Sequence, residues 1–122
     1  MEKHVLVIED EPNIIEAIGF VLSRNGWRVD THSNGHDAND VIRKKQPDII
    51  ILDVMLPGKS GFDILKELRQ LDELSTPVLM LTARGQNKDR EMAQTLGVSQ
   101  FMTKPFANSD LLDALEKLTS NE

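Results

Sequence analysis

Apolar positions along the chain alternate between short unbroken runs and longer stretches with helical spacing. The clearest run is Ile49-Ile50-Ile51-Leu52, which ends on the carboxylate of Asp53 and then on the turn signal Pro57-Gly58. A run so short and so apolar fits a central parallel strand covered on both faces, because a half-solvated strand alternates. Similar runs begin at His4 (His4-Val5-Leu6-Val7-Ile8) and at Val78 (Val78-Leu79-Met80-Leu81), the latter opened by Pro77 and ended by Thr82-Ala83. Arg28 to His32 is a more polar strand, as an edge position allows, and a last short strand runs from about Ser99 to Thr103.

Helical spacing fills the intervals. Ile14, Ile15, Ile18, Val21 and Leu22 share one face of a first helix that Pro12 can start and Asn25-Gly26 ends. A second helix, from about Gly35 to Lys45, turns Ala38, Val41 and Ile42 inward, and Pro47 resets the chain for the central strand. The third presents Ile64, Leu65, Leu68 and Leu71. The fourth, about Lys88 to Leu96, has only Met92, Ala93 and Leu96 for its apolar stripe, so its hold on the sheet is expected to be the weakest. Gly97 closes it. A final helix carries Leu111, Leu112, Leu115 and Leu118. Strands alternating with helices in this way predict an α/β domain around a parallel sheet.

Length and charge narrow the function. The 122 residues suit one domain, 1–122, with a single core. A net charge of −6 argues against unaided binding to nucleic acid or to an anionic membrane. The chain has no cysteine, which removes disulfides, thiolate catalysis and Cys-based zinc sites. Its first residues lack the apolar stretch of a signal peptide and no segment has the length of a membrane span, so a cytoplasmic location is expected.

Glu9 and Asp10, then Asp53, Thr82 and Lys104, each follow a predicted strand directly, so all should meet on one rim of the sheet. Ligands of open parallel sheets collect outside the carboxyl ends of the strands. Each residue also has a plainer reading: Asp10 as a helix cap, Asp53 as a turn residue, Thr82 as a cap or turn, Lys104 as a solvated lysine. Three acids on one rim repel one another, however, unless cations sit among them. A divalent ion and one lysine satisfy that need.

Val7-Ile8-Glu9-Asp10-Glu11-Pro12, Ile51 to Gly58, Leu81-Thr82-Ala83 and Lys104-Pro105-Phe106 together make the chain resemble the receiver domain of two-component response regulators, from Val5 through Leu118. The resemblance implies a flavodoxin-like, doubly wound fold like that of chemotaxis regulators. In it, five parallel strands lie in the order 2-1-3-4-5 with five helices on both faces. It implies Asp53 as the phosphoacceptor for a phosphohistidine, donated by a sensor histidine kinase or a phosphotransfer protein. It further implies a Mg²⁺ ion held by Asp10, Asp53, the backbone carbonyl of Met55 and, through water, Glu9. Lys104 and Thr82 then meet the phosphoryl oxygens, and small Ala83 leaves them room. A cis Lys104-Pro105 peptide, a switch formed by Thr82 and Phe101, and an output face on the fourth helix, last strand and last helix complete the expectation. By the same resemblance Met55 and Arg84 tune dephosphorylation, and an apolar Met55 beside Arg84 predicts slow hydrolysis.

Other readings compete less well. A flavodoxin-like nucleotide or flavin binder needs a first loop of amides and hydroxyls, where this chain has Glu9-Asp10-Glu11-Pro12. An aspartyl-phosphatase carries a second acid two residues beyond the nucleophile, where this chain has Met55. A receiver cut from a larger regulator would look the same as a free-standing one. The winged-helix regulators' dimer face uses an acidic pair where this chain has Ser99-Gln100, and a basic residue in the last helix where it has Leu111-Leu112-Asp113-Ala114-Leu115.

Overall fold

The apolar runs form five parallel strands, β1 (Lys3–Ile8), β2 (Trp27–His32), β3 (Ile49–Asp53), β4 (Val78–Thr82) and β5 (Gln100–Thr103), in the order β2-β1-β3-β4-β5. Helices α1 (Pro12–Arg24), α2 (Ala38–Lys45), α3 (Gly61–Gln70), α4 (Asn87–Thr95) and α5 (Asn108–Thr119) connect and follow them. This is the expected flavodoxin-like topology. The computed structural model describes residues 2–70, 76–83 and 87–120. Leu71, placed by its spacing on the apolar face of the third helix, and Arg84 lie outside the described residues.

Alternation along the strands divides the core in two. Leu6, Ile8, Ile50, Leu52, Val78 and Met80 pack beneath α2, α3 and α4. Val5, Val7, Ile49, Ile51, Leu79 and Leu81 pack beneath α1 and α5, together with Trp27. Every one of these strand residues is fully buried except Trp27, so β1, β3 and β4 read as continuous apolar runs because both their faces are covered. Each such side chain contributes about 1.5–3 kcal/mol by its removal from water. The edge strand β2 keeps Arg28 and Thr31 exposed, and His4 beneath it is buried against Asp30 at 2.6 Å.

Two helices differ from the sequence pattern. Helix α2 starts at Ala38 rather than Gly35, because Gly35 is committed to a loop contact: its N–H donates to the Pro57 carbonyl at 2.9 Å, and a Cβ there would collide with the Lys59 carbonyl oxygen. On α4, Met92 is not part of the inward stripe but is 48% exposed, while its neighbour Ala93 is fully buried. The small residue takes the seat nearest the sheet and Leu96 only partly covers the core. The apolar stripe of the fourth helix is narrower than its spacing suggested.

Candidate functional site

The C-terminal ends of β1, β3, β4 and β5 bring Glu9, Asp10, Asp53, Thr82 and Lys104 to one rim. Asp53 is the last residue of β3, on the same face as Ile49 and Ile51, and is only 3% exposed. It reaches that depth because α3 begins close above it. The N–H of Gly61 donates to the Val54 carbonyl at 2.8 Å, and a Cβ on Gly61 would collide with the Asp53 carbonyl oxygen, so only glycine fits. Thr82 ends β4 and is buried, and its carbonyl accepts the Lys104 N–H at 2.8 Å. The Lys104-Pro105 peptide is cis.

Glu9 is wholly buried yet well partnered. Its Oε2 accepts the N–H groups of Asp10 and Glu11 at 3.1 and 3.2 Å, and its Oε1 accepts the Lys104 ammonium at 2.8 Å. Lys104 also lies 3.4 Å from Asp53 Oδ1 and 3.4 Å from Glu11 Oε1. One ammonium therefore serves three carboxylates. Sequence reasoning missed Glu11 in this role, although its place beside the acidic pair was a usable signal.

The electrostatics follow from the crowding. Burial, and then the negative charge of Glu9, push the Asp53 carboxyl up from 3.8 to about 7, and Lys104 offsets only part of this. Burial alone would lower the Lys104 pKa, but the Glu9 hydrogen bond and the charges of Asp53 and Glu9 outweigh it and hold the ammonium above its usual range. One carboxylate oxygen from each of Glu9, Asp10 and Asp53 lies within 4.8 Å of the others. Asp10, unlike Glu9 and Asp53, is exposed, which leaves one side open to water. Three hard oxygen donors with a hydrated side fit Mg²⁺, which binds few carboxylates and retains waters. A divalent cation also relieves the repulsion that raises the Asp53 pKa. No other such group of three side chains occurs among the described residues.

A model of the response regulator receiver domain matches residues 5–116. This chain belongs to that family. Its fold is shared with the BeF3-activated N-terminal receiver domain of Klebsiella pneumoniae RstA, at 26% identity and a TM-score of 0.91, covering 98% of this chain and 100% of that one. A putative response regulator from Chloroflexus aurantiacus is similar at 29% identity and a TM-score of 0.93, covering 99% of this receiver and 100% of its counterpart. The Vibrio cholerae chemotaxis protein CheY4 is similar at 28% identity and a TM-score of 0.89, covering 97% of this chain and 99% of that one.

The remaining candidates of this receiver domain are more scattered. Met55, in the loop after β3, is 72% exposed, and Ala83, just after β4, is exposed. Phe101 sits on β5 with its ring partly buried against the core under α4. Among the histidines, His32 pairs with Asp37 at 2.7 Å, and His36 is exposed. Among the described residues no helix is long and apolar enough to cross a membrane.

Proposed function

We propose that this receiver domain accepts a phosphoryl group from a phosphohistidine onto Asp53, in a reaction that needs Mg²⁺, and that the modified domain presents a changed face to a downstream protein. The observation that carries the reading is the placement of Asp53: a buried carboxylate at a strand tip, 3.4 Å from the Lys104 ammonium and grouped with Glu9 and Asp10. A carboxylate held there has what a phosphoryl acceptor needs, which is a fixed approach and a cation waiting where charge builds.

In the transfer, an Asp53 Oδ forms a bond to phosphorus as the phosphorus–nitrogen bond of the donor breaks, and the departing imidazole nitrogen keeps the electron pair. Asp10, Asp53 and the Met55 carbonyl would hold Mg²⁺, with Glu9 supporting it through water; when bound, the ion neutralises charge on the equatorial phosphoryl oxygens. Lys104 offers a point charge to the same oxygens and the Thr82 hydroxyl a hydrogen bond, while Ala83 adds no bulk. Thr82 and Phe101 form the switch, and the output surface is the face of α4, β5 and α5. The donor is a sensor histidine kinase or phosphotransfer protein, and the domain acts in the cytoplasm without binding nucleic acid or membrane itself.

Acetyl phosphate with Mg²⁺ tests the reading. One added phosphoryl mass, lost on treatment with hydroxylamine and absent from Asp53→Asn, is the expected result; an Asp53→Asn protein that still takes up the label overturns the assignment. Chelation should stop labelling without unfolding the chain. Steady turnover of small phosphate esters would instead favour an aspartyl-phosphatase.

A further inference from the structure

Helix α4 contributes a single fully buried residue, Ala93, to the core. So narrow an apolar stripe gives little burial energy, and other contacts must help to hold the helix. One of them comes from Arg90. Its guanidinium carbon lies 5.2 Å from the centroid of the Phe101 ring, and its Nη2 donates to Thr103 Oγ1 at 3.4 Å. Phe101 and Thr103 are two residues apart on β5 and so face the same side of the sheet, the side of α4. Thr103 is in register with Thr82 on β4, and Lys104 follows it directly. A single exposed side chain thus fastens α4 both to the aromatic ring and to the strand end beside the acceptor site.

We propose that Arg90 is a clasp that stabilises the resting arrangement of α4 and Phe101, and that it opposes the rearrangement that accompanies modification of Asp53. The second half rests on the receiver function proposed above. The physical case is one of differential contacts. A cation over an aromatic face and a long hydrogen bond are lost whenever the ring turns away or the helix lifts, so they favour the state in which they are made. Because the clasp ends on Thr103, whatever shifts Thr82 and Lys104 toward a phosphoryl group acts on it at once. By linkage, loosening the clasp must strengthen binding of any ligand that favours the released state, and by the same factor.

Amide exchange and beryllofluoride titration of Arg90→Ala, Arg90→Lys and Phe101→Leu, and of the Arg90→Ala Phe101→Leu double variant, test this. In the free protein Arg90→Ala should raise exchange in α4 by about two- to fivefold, the range a surface cation–π contact supplies, and Arg90→Lys should recover part of it. In the Phe101→Leu background, removal of Arg90 should add little. Unchanged exchange in Arg90→Ala, or an undiminished effect without the ring, overturns the clasp. In the presence of Mg²⁺, beryllofluoride should bind Arg90→Ala more tightly by a similar factor. A loosened helix with unchanged beryllofluoride affinity overturns the regulatory half and leaves Arg90 a structural residue. A parent protein that does not bind beryllofluoride overturns the receiver function and the regulatory half with it, while the exchange data on the free protein still decide whether the clasp exists.

Discussion

The Lys104 ammonium lies 2.8 Å from Glu9 Oε1, in a contact that joins residues 95 positions apart. Glu9, with no exposed surface, is held by that lysine and by the two N–H groups that follow it in the chain. The lysine is thereby drawn toward Glu9 in preference to Asp53, where its distance is 3.4 Å.

Lys104→Ala should therefore destabilise the metal-free protein by roughly 3 kcal/mol, because removing one partner strands a buried charge. Millimolar Mg²⁺ should restore more of the lost stability in Lys104→Ala than it adds to the parent. Thermal unfolding with and without EDTA measures both; equal gains from Mg²⁺ in the two proteins would show that lysine and metal do not serve the same carboxylates.

Asp53 gives stability an unusual pH dependence. In the unfolded chain its carboxyl titrates near 3.8, and in the folded, metal-free protein near 7, chiefly because burial disfavours the charge. Between those values the native state holds a proton that the unfolded state releases, so this group makes stability fall as pH rises from about 4 to about 7, and adds no further slope above that. Asp53→Asn removes the effect. In EDTA the variant should gain on the parent steadily across that window, reaching a difference of the order of a few kcal/mol. Urea denaturation at several pH values checks it, and a difference independent of pH would refute the charge burial.

Much of this was legible in the sequence because the signals were strong and local. Ile49 to Leu52 fits a doubly covered strand better than a half-solvated one, and polar residues that each follow a parallel strand converge on the carboxyl rim. What stayed hidden depended on contacts between distant segments. Periodicity alone does not reveal that Ala93 rather than Met92 seats against the sheet, since both lie near the apolar boundary of one helix and the difference is one of fit. Nor does it reveal that Gly35 must leave α2 to admit the Lys59 backbone, or that Arg90 covers Phe101. Glu11 could be read only as a neighbour of the acidic pair until the lysine arrived from the last strand.

Two glycines should respond to alanine with opposite signs. At Gly61 the added Cβ meets the Asp53 carbonyl oxygen, a backbone atom that cannot swing away, so Gly61→Ala should cost about 1–3 kcal/mol and slow acetyl phosphate labelling with every site side chain still present. At Gly19, inside α1, nothing lies within 4 Å, and Gly19→Ala should stabilise the fold by about 1 kcal/mol and leave labelling alone. Parallel denaturation and labelling curves test the pair. Equal labelling rates in both variants would mean that the approach of α3 does not set the position of Asp53.

Met55 should set the lifetime of the phosphorylated protein without contributing much to its stability. It lies two residues beyond Asp53 and is 72% exposed, so its side chain gives the core almost nothing and its replacement should change stability by no more than about 0.5 kcal/mol. Hydrolysis, by contrast, needs a water aligned with the phosphorus, and a group near the acceptor that hydrogen-bonds this water lowers the barrier. A thioether side chain offers only a weak acceptor and can cover the approach. The parent should therefore lose its phosphoryl group slowly. Met55→Asn places an amide there, and in combination with Arg84→Glu should shorten the lifetime further. Decay of the phosphoprotein after removal of the donor, followed beside urea denaturation of the same samples, separates the two effects. A Met55→Asn Arg84→Glu protein that decays no faster than the parent at unchanged stability would show that these positions do not govern access of the water.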